Sequence, residues 1–256
     1  MKDTIAIMVP IRDMTDVLPR MYETVLNQTY KDWIAYLIDA KASTENVKEV
    51  VDDLNKKHGE RIVYFKQQGD GITGFALNEL WDQIKNNGHK YFATLAADDM
   101  WHYQKLEIQR YLADKKNGDY EPLLLTSDFM TPLNIDKDMK QLNMVINCSP
   151  VYRDFYVGFE TNYELFSTYF FNDIAMKNKY DITDGKFTNI YAPRLLDWEM
   201  LLEFQSVGTR LIRILFTLAM NDINHTKSFG NMVRSSPNER HQCQVETKIL
   251  ESKYGY

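Results

Sequence analysis

The sequence predicts an α/β fold with a mostly parallel sheet flanked by helices, and three observations support this class. Through the first 128 residues, short apolar runs alternate with amphipathic segments, which is the pattern of consecutive β-α units. The run 91–97 is apolar along its length, as expected of a strand that is covered by helices on both faces. That run ends abruptly at Asp98 and Asp99, and open parallel sheets bind ligands where their strands end.

The residues that bound each segment define the elements of the first half. Pro10 stops the first apolar run, and a helix with apolar residues at helical spacing then ends near Asn27. A second amphipathic helix begins near Val47, and Gly59 stands where such a helix stops. A third helix is expected around Gln104. The predicted strands of this half are 5–9, 34–38, 62–65, 91–97 and 123–125.

After Asp128 the alternation of strands and helices gives way to a different pattern. The segment 130–147 is polar with alternating apolar positions, which indicates a hairpin or a loop. A helix is predicted from Leu196 to Gly208, and a strand over 212–216 precedes a polar tail. We therefore divide the chain into a nucleotide-sugar-binding half (1–128), an acceptor-binding half (129–225) and a C-terminal tail (226–256).

Charge and cysteine content exclude several classes of partner and compartment. The formal net charge is −6, which argues against nucleic acid or an anionic membrane surface as the partner. Cys148 and Cys243 lie far apart without metal-ligand spacing, a pattern that favours a reducing compartment. No signal peptide and no transmembrane segment is read from the sequence, so we expect a cytoplasmic protein. No feature indicates an oligomeric state.

The residues that follow the predicted strands include several carboxylates, and their crowding favours a cation. Carboxylates crowded at the same end of a sheet repel one another unless a cation lies among them. Mg²⁺ and Mn²⁺ take oxygen ligands and leave positions open for phosphate oxygens. The residues that follow the first four strands include Pro10, Ile11, Asp13, Asp39, Gly71, Asp98 and Asp99.

Two alternatives limit this interpretation. Asp98 or Asp99 could instead cap the helix that begins around Gln104, since aspartate is a favoured N-cap residue. No G-x-G-x-x-G pattern follows the first strand, and no G-x-x-x-x-G-K pattern occurs anywhere in the chain. A bound nucleotide would therefore be held by something other than a glycine loop at a helix N-terminus.

Several blocks of the sequence resemble the family-2 inverting glycosyltransferases. The segment 25–33, V-L-N-Q-T-Y-K-D-W, is similar to the block that precedes the family's second strand, and that strand here closes on Asp39. The segment 96–101, A-A-D-D-M-W, followed by K-L at 105–106, is similar to the family's D-D-x-W block. The weaker likenesses are the glycine-rich segment 71–78, Y-R at 152–153 and L-D-W-E at 196–199, so that the likeness covers residues 1–225.

The resemblance implies a GT-A-type fold and a metal-dependent transfer from a nucleotide diphosphate sugar, UDP-sugar by default, to a hydroxyl of a glycan or another acceptor. It implies that Asp197 is the general base and that Asp99 and His225 bind Mn²⁺ or Mg²⁺. One such base suits inversion, which is a single displacement at the anomeric carbon. The implied donor-binding residues are Pro10, Ile11, Asp13, Asp39, Gly71, Asn78 and Asp98, and the implied sugar contacts are Trp101, Trp198 and Glu199.

Each implied role has a structural alternative. Asp197 could be a first-turn carboxylate that the helix dipole favours, and a lone histidine such as His225 is more often structural. The aromatic residues of 152–171 could stack on sugar rings, although most are expected in the core. The basic residues of 227–240 could form a lid over the diphosphate or a solvated face.

Departures from the family pattern keep other functions open. The chain has P-I-R-D at 10–13 where the family has P-x-Y-N, and D-A-K-A at 39–42 where it has D-D-G-S. Leu77 replaces a common arginine, and Ala96 replaces the first aspartate of the D-x-D-D block. A nucleotidyltransferase and a non-catalytic nucleotide- or sugar-binding module are the alternatives.

Overall fold

The structure is a computed structural model that describes residues 3–69, 71, 73–116, 120–135, 142–147, 166–193, 195–220 and 236–254. Helices and strands alternate from the first strand to the fourth, which bears out the β-α pattern read from the sequence. The chain then forms an antiparallel hairpin, a short 3₁₀ turn and further helices.

The strands of the described residues form one sheet in the order β3-β2-β1-β4-β8-β6-β9-β5, with β7 paired to the outer part of β6. The first four strands in this order are parallel, β8 is antiparallel to both neighbours, and β9 is parallel to β6. The strands are β1 (Ile5–Ile11), β2 (Trp33–Asp39), β3 (Ile62–Lys66), β4 (Tyr91–Thr94), β5 (Met100–Trp101), β6 (Leu123–Ile135), β7 (Leu142–Asn147), β8 (Phe170–Asn172) and β9 (Arg210–Met220).

Helices cover both faces of the sheet because its central strands are apolar on both faces. Along β1, Ile5, Ile7 and Val9 pack on one side, whereas Ala6 and Met8 pack on the other. Helices α1, α2 and α4 cover the first face, and α3, α5 and α6 cover the second. The helices are α1 (Leu18–Leu26), α2 (Val47–His58), α3 (Thr73–Ile84), α4 (Lys105–Lys115), α5 (Asp173–Thr183), α6 (Leu196–Ser206) and α7 (Pro237–Tyr254).

Three helices go beyond the sequence prediction. Helix α3 begins within the glycine-rich segment 71–78, and α5 begins where the Asn172 side chain accepts the Ala175 amide. Helix α7 lies in the polar tail and buries little besides Glu246 and Leu250, so it carries no apolar stripe that a pattern could detect. The expected hairpin or loop at 130–147 contains the β6–β7 hairpin.

The division at residue 128 falls inside β6, so the two predicted halves share one sheet. Strand β4 ends at Thr94 rather than at 97, and β9 is longer than the predicted 212–216. In the described part of the chain, no helix is both long and apolar enough to cross a membrane.

Candidate active site at the carboxyl end of the sheet

Strands β1 to β4 are parallel, so the residues that follow them meet at one end of the sheet, called here the carboxyl end. Pro10 and Ile11 are the last residues of β1, and Ile11 lies beside Asp39 in the register with β2. Asp98 and Asp99 follow β4 on the other side of β1. The structure therefore places most of the predicted donor and metal residues at the same end of the sheet.

Asp39 is a buried carboxylate with one oxygen bound and the other left open. Its side chain is 2% exposed, and its Oδ2 accepts hydrogen bonds from Tyr64 Oη at 2.9 Å and Lys66 Nζ at 2.7 Å. Burial and the bond to Asp39 raise the pKa of Tyr64, so this hydroxyl remains a donor. No described residue donates to Asp39 Oδ1. A buried carboxylate oxygen without a donor is costly, so this atom is a candidate ligand contact.

Gln67 adds a donor beside Asp39 that the sequence analysis did not identify. It is 1% exposed, its main-chain N–H donates to Asp39 O at 2.9 Å, and its Oε1 accepts the Lys41 amide at 3.2 Å. Its Nε2 has no acceptor among the described residues. The only available sequence signal was its position directly after β3, which does not separate it from Gln68.

Asp13 organises the loop that follows β2. Its φ of 50° is left-handed, and its Oδ1 accepts bonds from the Ser43 hydroxyl, from the Thr44 amide and hydroxyl and from the Glu45 amide. Burial raises the pKa of Asp13, but these hydrogen bonds lower it by more, so that its pKa lies below the usual value. As a donor-binding residue Asp13 stays a prediction, and these contacts give it a role in shaping the loop.

The loop after β3 and the start of α3 depend on two side chains and one glycine. Glu79 accepts the amides of Gln68 at 2.8 Å and Gly69 at 2.9 Å. Gly71 has a φ of 140°, and a Cβ there would lie 2.5 Å from the Phe75 ring, so the loop requires glycine. Asn78 exchanges two hydrogen bonds with the main chain of Thr188, each 3.0 Å long. Its amide therefore joins α3 to the segment before α6 rather than pointing at a ligand.

Asp99 is held by a serine from a distant part of the chain. Asp99 is 2% exposed, and Ser167 Oγ donates to its Oδ2 at 2.5 Å. Asp98 is half-buried, and its carbonyl accepts from Arg20 at 3.4 Å. The capping alternative is wrong, because α4 begins at Lys105 and its N-cap residue is Gln104.

A divalent cation fits this position only with help from its ligand. The described residues contain no group of three histidine, cysteine, aspartate or glutamate side chains that could hold a metal ion. His225, the predicted second ligand, lies outside the described residues. Magnesium-type sites commonly use one or two carboxylates together with substrate phosphates and water. Asp99 and the half-buried Asp98 match that set of ligands in number and kind, and metal binding by Asp99 stays a prediction.

The predicted sugar contacts lie mostly in the protein interior. Trp101 is 5% exposed, and its Nε1 donates to Ser167 O at 2.8 Å. Trp198 is buried against Leu202 and Leu250, the latter from α7. Sugar contact by either tryptophan stays a prediction that these interior contacts do not favour.

The first turn of α6 separates two carboxylates that the sequence could not distinguish. Glu199 is fully buried, and its two oxygens accept the amides of Tyr191 at 2.8 Å and Ala192 at 3.0 Å. Burial raises the pKa of Glu199 to about 7 despite these bonds. Asp197 is half-buried, its Oδ1 accepts the Trp198 amide, and its main-chain carbonyl accepts the Tyr169 hydroxyl at 2.7 Å. Of the two, Asp197 is the carboxylate that is partly exposed to solvent, and its role as the base stays a prediction.

Comparison with known proteins gives a family match over the part of the chain that contains Asp39 and Asp99. Residues 6–121 match the sequence profile of the family described as Glycosyl transferase family 2. This matched segment, residues 6–121, is called here the family 2 region. An uncharacterized glycosyltransferase of Rickettsia bellii is 29% identical over 113 residues, and one of Rickettsia felis is 30% identical over the same length. Each match covers 44% of this chain but only 15% and 18% of those two longer relatives.

Solved structures show the fold of the whole chain. Staphylococcus aureus TarS 1-349 in complex with UDP-GlcNAc aligns with a TM-score of 0.64 at 11% identity, over 99% of this chain and 73% of that one. The Pyrobaculum calidifontis mannosyltransferase in complex with GDP-Man and Mn²⁺ aligns with a TM-score of 0.66 at 13% identity, over 100% of this chain and 66% of that one. The GT-A-type fold class predicted from the sequence is confirmed by these neighbours.

The family 2 region supplies one side of the candidate site, and the rest of the chain supplies the other. Asp39, Gln67 and Asp99 lie within 6–121, whereas Ser167 and Asp197 lie beyond it. A cavity of about 520 Å³ lies next to the candidate site. Its lining includes Tyr64 and Lys66, the two residues that donate hydrogen bonds to Asp39. A smaller cavity of about 200 Å³ contains His89 and Phe92 and lies at the opposite end of the sheet, away from these carboxylates.

Proposed function

We propose that this protein is an inverting glycosyltransferase that moves a sugar from a UDP-sugar donor to a hydroxyl of a glycan acceptor and depends on a divalent cation. The observation that carries the proposal is the pairing of two buried carboxylates at the carboxyl end of the sheet. Asp39 has an oxygen without a donor, and Asp99 lies across β1 from it. The named relatives and neighbours support the reaction class.

The environment of Asp39 favours uridine over guanosine. Asp39 Oδ2 already accepts two hydrogen bonds, so only Oδ1 is left for a base. A uracil edge offers one N–H flanked by carbonyl oxygens, which suits the open Asp39 oxygen together with the Gln67 amide as donor. A guanine edge offers two adjacent N–H donors and would ask a carboxylate to accept both. This supports the uridine nucleotide seen with TarS over the guanosine nucleotide seen with the archaeal mannosyltransferase.

Three parts of the chain divide the proposed chemistry. Asp39 and Gln67 hold the base, and Asp99 would hold the cation. When bound, the cation offsets the negative charge that grows on the leaving diphosphate. Asp197 removes the proton from the acceptor hydroxyl on the face opposite the diphosphate, so that the hydroxyl oxygen attacks the anomeric carbon and the configuration inverts.

The first test is a screen of nucleotide binding by thermal unfolding, because a ligand that binds only the folded state raises its apparent stability. UDP and GDP are each added with Mn²⁺ or with EDTA. We expect the largest rise in the unfolding midpoint with UDP and Mn²⁺. A GDP response equal to the UDP response would refute the uridine assignment, and a response unaffected by EDTA would refute the role of the cation.

The second test asks whether binding leads to transfer. A panel of UDP-sugars is incubated with the protein and Mn²⁺, and UDP release is followed with and without glycan acceptors. Release that requires an acceptor supports the transferase, and NMR of the product reads the anomeric configuration. Tight UDP binding without turnover of any donor would instead favour a binding module. Cytoplasmic glycan synthesis is the setting we propose for this reaction.

A further inference from the structure

The turn Phe166–Thr168 and the following Tyr169 form a rigid segment, called here the 166–169 turn. In the sequence this turn comes directly before β8 and lies outside the family 2 region, which ends at residue 121. Four consecutive carbonyl oxygens of this turn accept hydrogen bonds from other elements. The donors are Thr94 to Phe166 and Tyr169, Trp101 to Ser167, and Gln109 and Lys105 to Thr168.

The side chains that donate to these carbonyls are buried, so their polar groups must find hydrogen-bond partners within the protein. Lys105 and Gln109 are fully buried, and Lys105 Nζ lies 4.4 Å from the centre of the Trp101 ring. Within the described residues no carboxylate forms an ion pair with Lys105, whose Nζ donates to Gln109 Oε1 and, at 3.4 Å, to Thr168 O. Satisfied buried networks of this kind hold a segment in one conformation.

Two side chains of the 166–169 turn contact the two acidic residues of the proposed reaction, one at its carboxylate and the other at its main chain. Ser167 Oγ accepts the Ala96 amide at 2.9 Å and donates its hydrogen to Asp99 Oδ2. Two residues later, Tyr169 Oη donates to the main-chain carbonyl of Asp197 at 2.7 Å. Both Ser167 and Tyr169 are fully buried, so neither hydroxyl is a substrate contact.

We infer that the 166–169 turn sets the position of the cation-binding carboxylate relative to the base, with Ser167 as the positioning residue for Asp99 and Tyr169 as that for Asp197. The inference rests on the proposed function. A hydrogen bond to a metal-ligand carboxylate fixes its orientation and is a large part of metal affinity. A base displaced by about 1 Å can lower the rate by on the order of 10²-fold. Because one rigid turn contacts both Asp99 and Asp197, it would hold the cation and the base at a fixed distance from each other.

The role of Ser167, called here the serine arm, is tested by measuring the affinity for Mn²⁺ at a fixed UDP concentration. Binding is monitored through the electron paramagnetic resonance signal of free Mn²⁺. We expect Ser167→Ala to weaken Mn²⁺ binding by about 10–100-fold. UMP affinity should stay at the wild-type value, because Asp39 is untouched. Thr183→Val is the matched control, since it removes a buried hydroxyl that donates to the carbonyls of Lys179 and Lys186 in α5 and the following turn. Ser167→Cys replaces the alanine variant if that variant fails to fold, with a weakening in the same direction.

The role of Tyr169, called here the tyrosine arm, is tested by measuring turnover of the UDP-sugar that reacts fastest in the panel. We expect Tyr169→Phe to lower kcat by up to about 10²-fold while Mn²⁺ affinity and donor KM remain unchanged. Tyr22→Phe is its control, because Tyr22 Oη is buried and forms no hydrogen bond with the described residues. Melting curves of all variants show that the fold is retained.

The outcomes separate this inference from the proposed function. Mn²⁺ affinity of Ser167→Ala equal to that of Thr183→Val, or turnover of Tyr169→Phe equal to that of Tyr22→Phe, would overturn the positioning role in that arm. Asp99→Asn is included as the reference. Should Asp99→Asn also bind Mn²⁺ as the wild type does, the metal assignment of the proposed function fails and the serine arm falls with it.

Discussion

The substitution Glu199→Gln is expected to remove the part of the stability loss between pH 5 and pH 8 that arises from ionisation of Glu199. Glu199 is fully buried on α6, and its pKa is raised from 4.5 to about 7. A carboxyl whose folded pKa is raised stabilises the fold at low pH. That contribution is lost as the pH rises through the folded pKa, because the unfolded chain ionises first.

The size of the effect follows from the two pKa values. With 4.5 for the unfolded chain and about 7 for the fold, the linkage penalty grows by roughly 2–3 kcal/mol between pH 5 and pH 8. Glutamine does not ionise, so the variant lacks this penalty. Its amide nitrogen faces the N–H of Tyr191 or Ala192, and this mismatch costs about 1–3 kcal/mol at every pH. The variant should therefore be less stable than the wild type at pH 5 and nearly equal to it at pH 8.

The assay is urea unfolding followed by circular dichroism at pH 5, 6, 7 and 8. Glu23→Gln on α1 is the control, because Glu23 is exposed and its replacement leaves the pH dependence of the rest of the protein visible. Transfer by Glu199→Gln should stay near the wild-type rate if Asp197 is the base. A pH dependence identical to that of the wild type would refute the assignment of this carboxyl as the one that ionises late in the fold.

Three further predictions concern the proposed site and its loops. Asp39→Ala should weaken UMP and UDP alike by about 1–3 kcal/mol in calorimetric titration, and unchanged UMP affinity would show that the base lies elsewhere. Asp197→Asn should lower the single-turnover rate by about 10²–10⁴-fold with donor affinity and melting temperature nearly constant, and a wild-type rate would exclude it as the base. Gly71→Ala should cost about 1–3 kcal/mol in urea unfolding, because its φ of 140° strains alanine even if the half-exposed Phe75 ring moves aside; full stability would contradict this.

The sequence by itself determined the parallel half of the sheet and the residues at its carboxyl end. Strands β1, β2 and β4 are apolar on both faces, and the residues that end or follow them include Asp13, Asp39 and Asp99, which the pattern singled out. These features are local in the chain, since an apolar run and the residue that ends it are neighbours in sequence. The resemblance in 25–33 and 96–101 led to the family for the same reason.

Only the tertiary structure decided which side chains are available for chemistry. In the sequence Asp197 and Glu199 are two carboxylates of one helical turn. In the structure the carboxylate of Glu199 accepts the amides of Tyr191 and Ala192, whereas Asp197 is half-buried. Ser167 gave no signal, because its partner Asp99 is 68 residues away along the chain. Long-range contacts of this kind depend on how strands from distant segments align in one sheet. No local pattern of apolar and polar residues encodes them.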